Sequence, residues 1–150
     1  RAYQGGGLEP KIIQRGHGYN KGGEYDIAPT LTSNGYHENN ILRIKEATTQ
    51  GYSEAEVGDS VNLSHPNSKT RRGRVGKQVA NTLLTGESQG VIEPDFRIRK
   101  LTPRECWRLQ GFPDWAFDKA QEVNSNSQLY KQAGNSVTVN VIAAIAKELK

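Results

Sequence analysis

The densest chemistry in the sequence is a cationic run, His65-Pro66-Asn67-Ser68-Lys69-Thr70-Arg71-Arg72-Gly73-Arg74-Val75-Gly76-Lys77, with five Lys or Arg in thirteen residues and no acid. Guanidinium groups fork onto phosphates or onto the acceptor edge of guanine, and the interleaved Gly, Ser and Thr leave backbone amides open to the same anions. Lys69, Arg71, Arg72, Arg74 and Lys77 are therefore candidates for nucleic-acid contact, with Arg15 and Lys21 as weaker ones. The competing reading is a solvated basic loop without a partner. Gly73-Arg74-Val75-Gly76 has the GXXG spelling of an RNA-clamping turn but lacks flanking apolar helix faces. Gly76-Lys77-Gln78 fails as a phosphate-binding loop, because four residues do not separate the glycines and Gln stands where Ser or Thr is needed.

His17, His37 and His65 stand 20 and 28 residues apart, without the short spacing of a zinc site, and they read as surface or turn residues. No metal is expected. Cys106 is the only cysteine, which excludes an internal disulfide, and it falls in a predicted helix between Glu105 and Trp107. A buried structural thiol suits that position better than a nucleophile, which needs an electropositive, partly open niche. Asn62-Leu63-Ser64 fits a glycosylation triplet only by chance, since the first residues lack the apolar stretch of a signal peptide.

The elements that must position these residues follow from composition. A chain of 150 residues makes one ordinary domain or two small ones. Counting Gly and leaving out Tyr, about 41% of it is apolar, below the globular norm, so part of it should lie outside a dense core. The net charge of +4 permits a polyanionic partner without requiring one. No apolar run is long enough to cross a bilayer, and the chain reads as soluble and cytoplasmic. It begins with Arg rather than Met, which admits a fragment.

Up to about residue 95, short apolar bursts such as Lys11-Ile12-Ile13 and Ile41-Leu42-Arg43-Ile44, set among Gly, Asn, Ser and Thr, predict short strands joined by turns. Residues 28–32 and 80–85 echo each other and predict two similar strand-and-turn units. From Leu101 helices are expected. Thr102-Pro103-Arg104-Glu105 supplies an N-cap, a first-turn Pro and the Glu of a capping box, and Gly111 should end that helix. Pro113 should prevent its resumption, with Trp115 and Phe117 as core anchors beneath a following loop. Ser127 should cap a short helix through Ala133, closed by a left-handed Gly134. Asn135 or Ser136 should cap a last helix whose Val137, Val141, Ile142, Ile145 and Leu149 share one apolar face in need of a cover. The predicted fold class is α+β: a short-strand, turn-rich region over 1–96 and a small helical tail over 97–150.

Two stretches are more specific still. Arg99-Lys100-Leu101-Thr102-Pro103-Arg104-Glu105-Cys106-Trp107-Arg108-Leu109-Gln110-Gly111-Phe112-Pro113-Asp114 and Tyr130-Lys131-Gln132-Ala133-Gly134-Asn135-Ser136-Val137 closely resemble, in order and spacing, the ninth and tenth motifs of the DNA (cytosine-5) methyltransferases. The resemblance covers about 97–150. The earlier part looks like a target-recognition region of the phage-borne or prophage members.

The resemblance implies methyl transfer from S-adenosylmethionine to carbon 5 of a cytosine swung out of duplex DNA, with a cysteine thiolate attacking carbon 6 and a carboxylic acid steadying the ring. The motifs carrying those groups are absent from this sequence, which has no Pro-Cys pair, no Glu-Asn-Val triplet and no aromatic-Gly-Gly loop. Methylation by this chain alone is therefore not expected. By the same resemblance Gly134, Asn135, Ser136 and Val137 match the turn closing one side of the cofactor pocket. Arg99, Leu101, Thr102, Glu105 and Arg108 match the motif that braces the recognition region. The implied partners are double-stranded DNA and an amino-terminal catalytic domain of the same protein, against which the last helix would pack. The alternative is a free-standing nucleic-acid-binding module of the same ancestry without catalysis. The basic run matches no fixed motif of the family.

Overall fold

The computed structural model describes residues 10–16, 18–25, 40–65, 67–86 and 88–149. His17, His37 and the first of the two echoing segments lie outside them. The chain divides into two compact units. One contains the chain as far as Asn81 together with Gln89–Lys100, and the other contains Thr82–Ser88 and the chain from Leu101 onward.

The first unit is built from two small antiparallel sheets. Strands β1 (Lys11–Gln14), β2 (Gly23–Tyr25), β3 (Asn40–Lys45) and β4 (Tyr52–Ala55) form one in the order β2-β1-β3-β4. Strands β5 (Ser60–Asn62), β6 (Val75–Gly76), β7 (Gln89–Ile92) and β8 (Ile98–Lys100) form the other in the order β6-β5-β7-β8. The period-2 geometry of a strand puts Leu42 and Ile44 on one face of β3, and Ile12 pairs with Leu42 across the ladder. These residues and Ala55 close a core with Val61, Leu63, Ile92, Phe96 and Ile98 from the second sheet. The apolar bursts at residues 11–13 and 41–44 therefore form strands as predicted. Ala80–Thr85 does not: the second echoing segment is irregular backbone, so Thr and Leu content alone overstated its strand character.

The second unit contains α1 (Pro103–Leu109), α2 (Asp114–Gln121), α3 (Asn126–Asn135) and α4 (Val139–Glu148). The α1 start follows the sequence. Thr102 Oγ1 accepts from the Glu105 amide at 3.3 Å, and the Thr102 amide donates to Glu105 Oε2 at 2.7 Å, completing the capping box. Gly111, at φ 84°, closes the helix in the left-handed region that favours glycine.

Beyond that point the sequence expectations need correction. Pro113 permits another helix at once and occupies the N-cap of α2, a place where a missing amide costs nothing. Phe117 is a core anchor, set edge-on to Trp107 at 5.6 Å between ring centroids, but Trp115 lies on the outer face of α2 and is 71% exposed. Ser125 caps α3 in place of Ser127 by accepting from the Gln128 amide, and α3 runs through Gly134 to Asn135. The last helix starts after Thr138, not after Asn135 or Ser136. The Thr138 hydroxyl donates to Gln110 Oε1 at 2.8 Å and the Val139 amide to the Gln110 carbonyl at 2.8 Å, so one glutamine does the work of a side-chain cap.

Cys106, Tyr130 and Ala133 form a buried cluster with Leu83, Leu101 and Trp107 packed against it. The polar groups near this core find partners. Tyr130 donates its hydroxyl to the Leu101 carbonyl at 2.7 Å, Trp107 its indole N–H to the Leu129 carbonyl at 3.0 Å, and Gln110 its amide to the Ala133 carbonyl at 2.9 Å.

Candidate nucleic-acid interface and cofactor edge

The basic run is moulded over the turn that follows β3. Ser68 Oγ accepts from the amides of Thr70 and Arg71 at 3.3 and 3.2 Å, and the Ser68 amide donates to the His65 carbonyl at 3.0 Å, giving a hydroxyl-nucleated turn. The Ala47 amide donates to the Arg71 carbonyl at 2.8 Å, and Arg72 Nε returns a bond to the Ala47 carbonyl at 3.0 Å. Below this turn the buried Glu46 side chain accepts from the Gly73 amide through Oε2 at 3.3 Å and from the Arg74 amide through Oε1 at 2.6 Å. Lys69 and Arg72 are exposed and Arg71 is half-buried, which leaves three cations on a fixed turn.

Arg74 departs from the group expected to touch nucleic acid. Its side chain is among the most buried in the protein, with 1% of the residue exposed. Its guanidinium donates through Nη1 to the carbonyls of Asn62 and Ser64 at 3.2 and 2.9 Å and through Nη2 to that of His65 at 2.6 Å. A guanidinium engaged in this way braces the loop from beneath and is not available to a phosphate. Gly73-Arg74-Val75-Gly76 accordingly runs into β6 and does not form a turn between helices.

The other candidates are distributed more widely. Lys77 is exposed, but its Nζ lies 2.9 Å from Oδ2 of the buried Asp59. Burial by itself would raise the Asp59 carboxyl's pKa, and the Glu56 amide, the Lys77 ammonium and the Gln78 amide together outweigh it, holding the group below the usual carboxylate range. Arg15 faces Glu56 at 3.6 Å, both well exposed, and Lys21 is exposed. Glu46 and Asp59, the two acids that organise this region, were missed in the sequence. The loop groups they hold, at Arg74 and Lys77, stand 28 and 18 positions away, and only the Glu56 amide on Asp59 is close in sequence.

Gly134 and Asn135 end α3, and Ser136 and Val137 follow it. Gly134 carries out a packing task, because a Cβ there would lie 2.5 Å from the Leu84 carbonyl group and 2.6 Å from the Thr85 amide nitrogen. Its expected left-handed conformation is absent, and its value lies in having no side chain. Ser136 Oγ donates to the Ala133 carbonyl at 2.7 Å. Asn135 and Val137 are exposed.

The residues of the bracing motif are occupied structurally. Arg99 Nε donates to Glu93 Oε1 at 3.0 Å, the Leu101 carbonyl receives Tyr130, Thr102 and Glu105 cap α1, and Arg108 forks onto both carboxylate oxygens of Asp114 at 2.7 and 2.6 Å. Cys106 is buried, and burial, assisted by the Glu105 carboxylate, pushes its thiol up to about 11, the opposite of what a nucleophile requires. Among the described residues no group of three or more His, Cys, Asp or Glu could hold a metal ion, and no helix is long and apolar enough to cross a membrane.

An orphan methyltransferase of Bacillus phage rho11s, M.Rho11sI, is 54% identical over 83 residues, which are 53% of this chain and 16% of that protein. The orphan methyltransferase M.SPBetaI of Bacillus phage SPbeta is 51% identical over 83 residues, 53% of this chain and 19% of the relative. The type II methyltransferase M2.ScrFI of Lactococcus lactis subsp. cremoris is 50% identical over 62 residues, 40% of this chain and 17% of its own length. The matched stretch thus spans less than a fifth of these relatives. No solved structure matches. Residues 11–150 match the C-5 cytosine-specific DNA methylase family, and the chain, with its two small sheets and helical tail, belongs to that family.

Proposed function

We propose that this chain is the carboxyl-terminal part of an S-adenosylmethionine-dependent DNA (cytosine-5) methyltransferase, and that it binds duplex DNA and positions the target cytosine. The family match over residues 11–150 carries the reading. In it, the sheet unit reads DNA through Lys69, Arg71 and Arg72, with Lys77, Arg15 and Lys21 as outlying cations and Arg74 as their internal support. The helical tail belongs against an amino-terminal catalytic domain, and Asn135, Ser136 and Val137 furnish one edge of the cofactor site, with Gly134 letting the chain approach beneath them. The cofactor supplies the methyl group. The contribution of these residues is to hold and orient.

The apolar face of α4 agrees with this placement. Val141, Ile142 and Ile145 on α4 are exposed, between 50% and 52%, and so are Val137, which precedes the helix and is not part of it as expected, and Leu149 at its C-cap. A reactive thiol has to come from elsewhere, since the single cysteine of this chain is buried and protonated at neutral pH. The test is fusion to the amino-terminal catalytic portion of a phage relative, followed by transfer of labelled methyl groups to duplex DNA. The expected outcome is methylation at cytosine by the fusion and none by either part alone. A folded fusion that binds neither cofactor nor DNA overturns the reading.

A further inference from the structure

We infer that Glu46 is a positioning residue for DNA recognition, presetting the backbone of the basic loop so that Lys69, Arg71 and Arg72 meet the duplex already ordered. The inference rests on the reading of that loop as the DNA surface. Glu46 touches none of those three side chains in the hydrogen bonds described above. Instead its two carboxylate oxygens take the amides of Gly73 and Arg74, while its neighbour Ala47 exchanges bonds with the Arg71 carbonyl and the Arg72 side chain. The turn that carries both is itself closed, with the Glu46 amide on the Gly51 carbonyl and the Gly51 amide on that of Thr48, each at 3.0 Å. The loop is therefore anchored to the turn at the end of β3 through the backbone of residues 71, 73 and 74 and the side chain of Arg72.

Glu46 acts on DNA binding in two opposite directions. A carboxylate beneath three cations reduces the positive potential that attracts DNA, so by charge alone its removal should tighten binding. As an anchor, the same carboxylate removes conformational freedom that DNA would otherwise have to remove, so its loss should weaken binding. Ordering several loop residues outweighs one screened charge, and the anchoring effect should prevail.

The experiment measures binding of a labelled duplex by the 150-residue chain over a range of NaCl concentrations. It compares the unmodified protein with Glu46→Gln, Glu46→Asp and the triple variant Lys69→Ala/Arg71→Ala/Arg72→Ala. Glu46→Gln keeps the shape but offers only one acceptor, and Glu46→Asp keeps the charge but shortens the reach. Both are expected to weaken binding by about tenfold, the equivalent of roughly one ordered residue, with an unchanged salt slope. The triple variant is expected to lower the slope by about two to three. Glu46→Gln binding as tightly as the unmodified chain, or more tightly, overturns the inference while leaving the DNA reading intact. No duplex binding by the unmodified chain overturns the DNA reading and this inference with it. Should the variants fail to fold, amide exchange in the unmodified chain decides: slow exchange at Gly73 and Arg74 supports the anchor, and exchange at the rate of an open loop overturns it.

Discussion

Replacing Arg74 by Met would remove the donors that now reach three carbonyl oxygens, that of the buried Asn62 and those of the half-buried Ser64 and the exposed His65. The expected cost is about 2–4 kcal/mol, since three hydrogen bonds from a charged donor are lost and the Asn62 acceptor is left beside an apolar side chain. Arg72→Ala, two positions earlier and exposed, should change stability by no more than about 0.5 kcal/mol. Urea denaturation of the two variants checks this, and equal losses would refute the division of labour. At Cys106 the sign of the pH dependence follows from the raised thiol value. The folded protein keeps the proton up to about pH 11, while the unfolded chain releases it near the ordinary value of 9.0. Above pH 9 the unfolded state therefore binds fewer protons, and stability falls as pH rises from about 9 to about 11. A thiol reagent at pH 8 should label the native protein at least tenfold more slowly than the urea-unfolded chain, and rapid native labelling would contradict the buried, protonated assignment.

At the scale of the element, α3 tests whether Gly134 serves packing or flexibility. Alanine gains about 1 kcal/mol over glycine in a helix interior and less at the next-to-last position that Gly134 holds. Here the added methyl would press on the Leu84–Thr85 backbone, and forcing that apart costs about 1–3 kcal/mol. Gly134→Ala should be net destabilising by about 1–2 kcal/mol in thermal melts, and a stabilised variant would show that the strap yields freely. This glycine also illustrates how legible the chain is. The capping box of α1 could be read from Thr102 and Glu105 because both partners lie within four residues. The strands at 11–14 and 40–45 could be read because their apolar periodicity is local. Gly134 was misread as a helix terminator because its reason lies fifty residues upstream. Arg74 was misread as a surface cation because a charge run does not reveal which member turns inward. Trp115 was misplaced because size and hydrophobicity alone do not say which side of a short helix faces the core.

For the whole molecule, the decisive feature is the bare apolar face of α4. With no residue buried anywhere along it, this helix draws little stability from packing, and a ten-residue helix is marginal by propensity alone. Backbone amides from 143 to 148 should therefore exchange at least tenfold faster than those of α1 when the chain is alone and monomeric, and should slow on addition of the catalytic portion. Strong protection in the isolated monomer would mean that the helix needs no cover.

The path of the chain has a practical side. The polypeptide enters the helical unit at Thr82, leaves it after Ser88 for twelve residues of β-sheet, and returns at Leu101. The helical unit is thus discontinuous in sequence, and a single cut that keeps Thr82–Ser88 with the helices must fall before Thr82 and take Gln89–Lys100 from the first unit. Severing the chain at Lys100 would take Leu83 from the cluster around Cys106 and Tyr130 and empty the seat beside Gly134. Fragments that begin between Gln89 and Leu101 lose residues 82–88 and should be less soluble than one that begins at Thr82, which keeps every residue of the helical unit.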